Sequence, residues 1–305
     1  MAWSSAEISA VDLALMAADK PILLGQNRAR VGEGRWIANG VWGADQSAAG
    51  YPIARAYDDY DHLRTKPNAN ASLGSGVYRW YVVFDLGAEY DVDSVVILNH
   101  NFFTLALDYV TVSIADSSDF TTNYKQLAAY APIDNSRIVL LDLHHTGANP
   151  RLYSGVRYIR IRIYKTASTF LPQLGEIFIG TRRQLKHHPK LPINDYDFGT
   201  ESVIFKSASG IQTQYVKNYG GRRIDFVYSA YETAYVSALR TFWQTDLVYG
   251  THPFFYIDFP TTTPREAYWM CPTDSNLQQQ LVDYIEREFF LRAEEQGPNF
   301  YKVTG

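Results

Sequence analysis

A chain of 305 residues is too long for one average domain and long enough for two. With 46% hydrophobic and 20% charged residues it can fill cores of its own, which excludes a disordered polymer. The formal net charge is -4, and neither side of residue 180 carries a basic excess, so nucleic acid is not an expected partner. The single cysteine, Cys271, excludes an intrachain disulfide and a Cys-rich zinc site, and it reads as a buried structural thiol.

The first residues, MAWSSAEISAVDLALMAADKP, lack a basic region followed by a long apolar run, and Asp12 interrupts them. They do not read as a signal peptide. No window approaches the ~18 apolar residues of a membrane span, so membrane insertion is not expected. Trp36, Trp42 and Tyr51 fall in a glycine-containing stretch ahead of the first strong strands. Exposed aromatic rings stack on sugars or fill subunit interfaces, and buried ones fill a core. All three uses stay open for these residues.

From Pro21 to Gly180 the chain reads as short strands between turn-rich loops. Trp80–Leu86 is a β-rich run closed by Gly87, and Val92–Leu98 is apolar on both faces, as for a strand inside a sandwich. Tyr109–Ile114 and Arg157–Tyr164 alternate, and in the latter Arg160 and Arg162 point together to the face opposite Ile159, Ile161 and Ile163. Gly175–Gly180 makes a last short strand. Many short strands with no helical period mean a β-sandwich or jelly roll over residues 1–180. Residues 181–200, with two prolines and the pair His187-His188, read as an extended connector.

Residues 201–305 follow another pattern. Ser202–Lys206, Ile211–Lys217 and Arg222–Tyr228 read as strands, with Gly220-Gly221 turning between the last two. A helix is predicted from about Ala230 to Leu247, with Tyr231, Tyr235, Ala238, Leu239 and Phe242 on one face. Pro253–Phe259, Ala267–Cys271 and Asp283–Arg292 are further strands. The order βββ-α-βββ is an α+β arrangement, and the whole chain is mainly β.

Four segments carry a family resemblance. Tyr78-Arg-Trp-Tyr-Val-Val-Phe-Asp-Leu-Gly87, Val92–Leu98, Arg157-Tyr-Ile-Arg-Ile161 and Leu174-Gly-Glu-Ile-Phe-Ile-Gly180 stand in the order of the discoidin, or coagulation factor 5/8 type C, galactose-binding-like jelly roll. Residues 51–180 resemble that family, although the disulfide that usually joins its ends has no counterpart here. Ile97-Leu-Asn-His-Asn-Phe-Phe103 and Tyr51-Pro-Ile-Ala-Arg-Ala-Tyr-Asp-Asp59 resemble segments of discoidin-like domains in phage tail proteins. Residues 200–297, through Arg222–Phe226, Pro253–Asp258, Trp269 and Glu286–Glu295, are similar to tail-tip hub or distal-tail domains.

The resemblance implies a structural, non-enzymatic subunit of a phage tail tip or baseplate, placed in the virion after assembly in the bacterial host cytoplasm. Its implied partners are further copies of itself in a ring, tail tube and hub proteins, and tail fibres. The alternative is a carbohydrate-binding protein that recognises a cell-surface glycan.

Sites of chemistry are few. His187-His188 and His144-His145 are adjacent pairs whose side chains diverge on extended chain, which suits no single metal ion. Asp58, Asp59 and Asp61 form a loop cluster that could bind calcium through oxygen ligands, but their spacing matches no EF-hand and solvated loop acids are the commoner reading. No nucleophile elbow, phosphate loop, dinucleotide fingerprint or zinc-protease helix occurs, so no catalytic residue, metal or cofactor is expected. The residues singled out for ligand or interface contact are Trp36, Trp42, Tyr51, His100, Asn101 and Phe102. For His100, at the end of a buried strand, bonding to backbone and bonding to a sugar both stay open.

Overall fold

The computed structural model describes residues 2–38, 46–58, 63–69, 73–74, 77–132, 137–140, 151–166, 168–188, 194–196, 201–206, 212–217, 223–230, 233–259, 267–273, 278–281 and 287–295. Trp42, Asp59, Asp61, His144, His145, Gly220, Gly221 and Tyr231 lie outside them. The chain is mainly β and divides into two compact units. One is Met1–Lys186 with Tyr256–Ala267, and the other is His187–Phe255 with Tyr268–Gly305.

The first unit carries strands β1 (Ser4–Glu7), β2 (Ile22–Leu24), β3 (Glu33–Ala38), β4 (Leu73–Gly74), β5 (Val77–Val92), β6 (Ser94–Leu98), β7 (Tyr109–Ala115), β8 (Lys125–Tyr130), β9 (Arg137–Leu140), β10 (Arg151–Thr166), β11 (Ile177–Gly180) and β12 (Arg183–Gln184), with one helix, α1 (Ala10–Ala17). Its large sheet runs β3-β5-β10-β7-β8, with β1 on one end of β10 and β4 on β5. The facing sheet runs β11-β6-β9, and β12 pairs with β2. Every strand pairing described in this unit is antiparallel.

Alternation explains the layers. Trp36 of β3, Trp80, Val82, Phe84 and Leu86 of β5, Val110, Val112 and Ile114 of β7, and Ile159, Ile161 and Ile163 of β10 all turn inward. They meet Val95 and Ile97 of β6 and Ile177 and Ile179 of β11 in one core. A period of two puts every second residue of a strand on the same face, so a single register slip would expose this whole set. β6 is buried along its whole length, as its two apolar faces predict. Asp93 separates β5 from β6, so Val92 ends the earlier strand instead of opening the later one.

The second unit carries β13 (Asn194–Tyr196), β14 (Glu201–Lys206), β15 (Gln212–Lys217), β16 (Arg223–Ala230), β18 (Ala267–Pro272), β19 (Gln278–Leu281), β20 (Arg287–Glu295) and helix α2 (Thr233–Thr241), with β17 (Phe254–Ile257) between α2 and β18. β20 pairs with β16 on one side and with β18 and β19 on the other, and β13 pairs with the far side of β16. β14 and β15 form a hairpin. β15 and β16, expected to pair across the two glycines, do not pair with each other, because β16 spends its two edges on β13 and β20.

Helix α2 is shorter than predicted and passes into a π-helical turn at Phe242–Asp246. Tyr235, Leu239 and Phe242 are buried, but Val236 and Trp243 join them and Ala238 faces outward, because the buried stripe follows the i, i+1, i+4, i+7, i+8 positions from Tyr235. Phe254 packs against Phe226 and Phe242, and Phe255 against Trp269. The connector read over residues 181–200 holds two short paired strands, β12 and β13, and Cys271 is half-buried in β18 instead of fully buried.

Candidate functional site

The C-terminal end of β6 brings three loops together. Residues 63–69 lie against residues 171–174 through a two-way backbone bridge between Thr65 and Leu174, at 2.8 and 3.2 Å. Residues 99–107 join them, with Asn101 N donating to Gln173 O and Asn101 Oδ1 accepting from Gln173 N at 2.8 Å. The Asn101 amide also donates to Leu171 O. Asn101 is therefore occupied by the backbone of its neighbours.

The other predicted site residues separate into core and surface. Trp36 is 0% exposed; its Nε1 donates to Thr65 Oγ1 at 3.1 Å and its ring meets Trp80 edge-on. His100 and Phe102 are also 0% exposed and stack at 4.5 Å, with His100 Nδ1 accepting from Phe102 N. Side chains shut off from water cannot touch an external ligand, so these three hold the loops in place. The ring presented outward on this loop is Phe103, at 53% exposure.

Tyr51 differs from all of these. It is half-buried, and its carbonyl accepts from Thr65 Oγ1, the hydroxyl that takes the Trp36 proton. Lys66 Nζ stands 4.0 Å from the centre of the Tyr51 ring and the Arg55 guanidinium 5.6 Å from it, both within cation–π range. Arg55 NH1 donates to Arg64 O, and Arg64 gives Nε and NH2 to Asn99 Oδ1. Asn99 takes a positive φ of 50°, a conformation that Asn tolerates better than most residues and that turns the chain out of β6. The Tyr51 ring thus carries one guanidinium and one ammonium group, and Arg55 links it through the Arg64 backbone to the Arg64–Asn99 pair. Such a group can offer an apolar ring face and several donors to a polyhydroxylated molecule.

The sequence pointed to Tyr51 but not to Arg55, Arg64, Lys66 or Asn99. A tyrosine followed by three cations within fifteen residues was the available signal, but it needed the bridge to Leu174 to become a cluster. No group of three or more metal-ligating side chains occurs among the described residues.

No family model and no curated protein matches the chain. Solved structures do match in part. A GH29 fucosidase of Ruminococcus gnavus in complex with fucose is 14% identical over 54% of this chain, with a TM-score of 0.37. The matched part spans only 28% of that fucosidase. Chitosan-binding module 1 of a Paenibacillus chitosanase/glucanase is 16% identical and matches over 50% of this chain and 98% of its own, with a TM-score of 0.35. A family 32 carbohydrate-binding module of Clostridium perfringens in complex with galactose is 11% identical over 53% of this chain and 99% of its own, also at 0.35. None of these three is a tail protein. At such identities and scores nothing about a ligand follows, and the β-sandwich is read from the strand pairings themselves.

Proposed function

We propose that the first unit is a glycan-binding module that holds a sugar at the loop end of its sandwich, around Tyr51, and performs no reaction. The observation that carries this is the half-buried Tyr51 ring, flanked by Lys66 and Arg55 and continued by the Arg64–Asn99 pair. A sugar offers C–H faces to a ring and hydroxyl oxygens to cationic and amide donors, so both halves of the cluster find partners on one ligand. The glycan reading rests on this geometry and not on the distant likenesses. A glycan array probed with the full chain tests it: saturable binding to a defined set of glycans, lost in Tyr51→Ala with its fold intact, is the expected outcome. An array without a single dose-dependent signal overturns it.

A second reading, as an assembly subunit of a tail tip, is favoured by a separate observation in the second unit. Val248 and Tyr249 are 42% and 60% exposed and both adopt positive φ, at 46° and 58°. A β-branched residue held in that region is costly and exposes two apolar side chains at one turn, as an interface would. Light scattering of the purified protein decides it, with a closed ring supporting assembly and a monomer across micromolar concentrations opposing it.

A further inference from the structure

The outer face of the large sheet carries a second feature that the Tyr51 cluster does not use. Pairing places Arg162 opposite Tyr81 on one side and Thr111 on the other, Arg160 opposite Val83 and Ser113, and Tyr164 opposite Arg79 and Tyr109. Strand alternation puts all of these on the face away from the main core, where Tyr81 and Val83 are buried with Ile37, Ala115 and Phe120 in a smaller cluster. Arg79, Arg162 and Arg160 therefore form a row across two strands, with the last two roughly 7 Å apart along β10. The Arg160 guanidinium lies 4.3 Å from the Phe120 ring centre, 4.8 Å from Tyr81 and 5.1 Å from Tyr124. Arg162 lies 5.4 Å from Tyr164.

Two facts set this row apart. Arg79, Arg160 and Arg162 are each half-buried, with their Nε atoms covered. Ion pairs among the described residues fall elsewhere, at Glu33–Arg35, Glu7–Arg151, Asp85–Arg157 and Asp93–Arg182. Arginine is the side chain suited to planar, two-toothed binding of an oxyanion. The row has the donors for such a group, and among the described residues no ion pair takes them.

We infer that this face binds a carboxylate-bearing polysaccharide, with the uronate groups on Arg79, Arg160 and Arg162 and the sugar rings beside Tyr109 and Tyr124. Those two tyrosines are 38% and 44% exposed at the flank of the row. An acidic peptide suits the face less well. β10 is bonded to neighbours on both sides, so a peptide lying on the face would find no strand edge for its backbone, whereas a sugar brings its own hydroxyl groups.

Affinity electrophoresis of the full chain in native gels containing polygalacturonate, neutral dextran or poly-glutamate tests the inference. The protein carries a net charge of -4, so overall attraction does not draw it to a polyanion. The expected result is retardation by polygalacturonate alone, weakened by about tenfold for each guanidinium removed in Arg160→Gln and Arg162→Gln. The corresponding lysine variants should recover only part of the loss, since charge is kept and the fork is not. Tyr51→Ala should leave this retardation unchanged, which separates the face from the loop site. Absence of retardation by polygalacturonate, equal retardation by poly-glutamate, or full retention in the double glutamine variant would overturn it. Where that double variant melts early, Arg79→Gln alone, at the end of the row, serves in its place and is judged by the same loss or retention.

Discussion

Asp85 and Arg157 belong to two of the sequence segments that carry the discoidin resemblance, and they meet as a two-toothed ion pair at 2.8 and 3.0 Å. Asp85 Oδ1 also accepts from Gly87 N, and Gly87 turns with φ at 80°, where a side chain would be strained. The Asp-Leu-Gly signature is thus an irregular bulge within β5 whose acid both bonds the Gly87 amide and anchors the neighbouring strand. The Arg157 hydrogen bonds hold the Asp85 carboxyl below its usual range, with the Gly87 amide and the Arg157 and Arg35 charges adding to them. A depressed acid stabilises the fold above its unfolded value, about 3.9, and that stability is lost as pH falls through the lower folded value. Asp85→Asn, which can still accept from Gly87, should cost about 0.5 kcal/mol at pH 7, a small amount because Arg157 is nearly half exposed. Urea melts should show the curves of the unaltered protein and the Asp85→Asn variant converging below about pH 4. A gap that stays constant as the acid is titrated would contradict the pair.

Asn27 makes the larger contribution. Its amide donates to Glu176 Oε1 and Ile177 O, both at 3.0 Å, while its oxygen accepts from Ala29 N and Ile179 N, both at 3.1 Å. Glu176 is 0% exposed, and burial lowers the pKa of the nearby Arg30 while the Glu176 charge works the other way. Asn27→Ala strands several buried groups and should destabilise the protein by about 3 kcal/mol, read from the denaturation midpoint. A change below about 1 kcal/mol would mean that water replaces the lost bonds.

At the scale of elements, the closing strand β11 is tightly constrained at its end. A Cβ added at Gly180 would stand 2.4 Å from Gln26 O and 2.9 Å from the Phe178 ring. The backbone oxygen cannot swing aside, so Gly180→Ala should cost about 1–3 kcal/mol and loosen β11 from β6. Hydrogen exchange at Val95 and Ile179 reports that loosening, and unchanged protection would contradict it. The signals that made these strands readable were local. Alternation in β7 and β10, the two-sided apolarity of β6 and the glycines flanking β11 each state a face or an end. What could not be read is long-range. The β15–β16 hairpin was expected from two adjacent glycines, but partner choice for β16 is decided by β20, some sixty residues later. The helix face differs at Ala238 because the small alanine and the apolar Val236 fit neighbouring stripes equally well in the pattern, and only packing chooses Val236. Among candidate contact residues, Trp36, His100 and Phe102 were visible as chemically rich side chains; their burial is set by Thr65, Leu174 and Gln173, which no motif links to them. Arg160 and Arg162 were placed correctly by alternation alone, while Arg79 needed the β5–β10 register.

At the scale of the whole molecule, the chain joins a β-sandwich unit with a smaller α+β unit, and both ligand surfaces proposed above lie on the first. Trp3 ties the N-terminal segment to the sandwich, with its backbone N–H on Asp116 and its indole N–H on Asn123 O, so even the start of the chain is part of that unit. The proposed sugar site lies at the loop end, at the Tyr51 ring and its cations. Titration calorimetry of the full chain with the strongest glycan from the array, repeated with Tyr51→Ala, addresses it most directly. The account predicts one site per chain for the unaltered protein, and at least about tenfold weaker binding after loss of the ring, with the melting temperature unchanged. Equal heats and equal affinity in the two proteins would place the sugar elsewhere and contradict it.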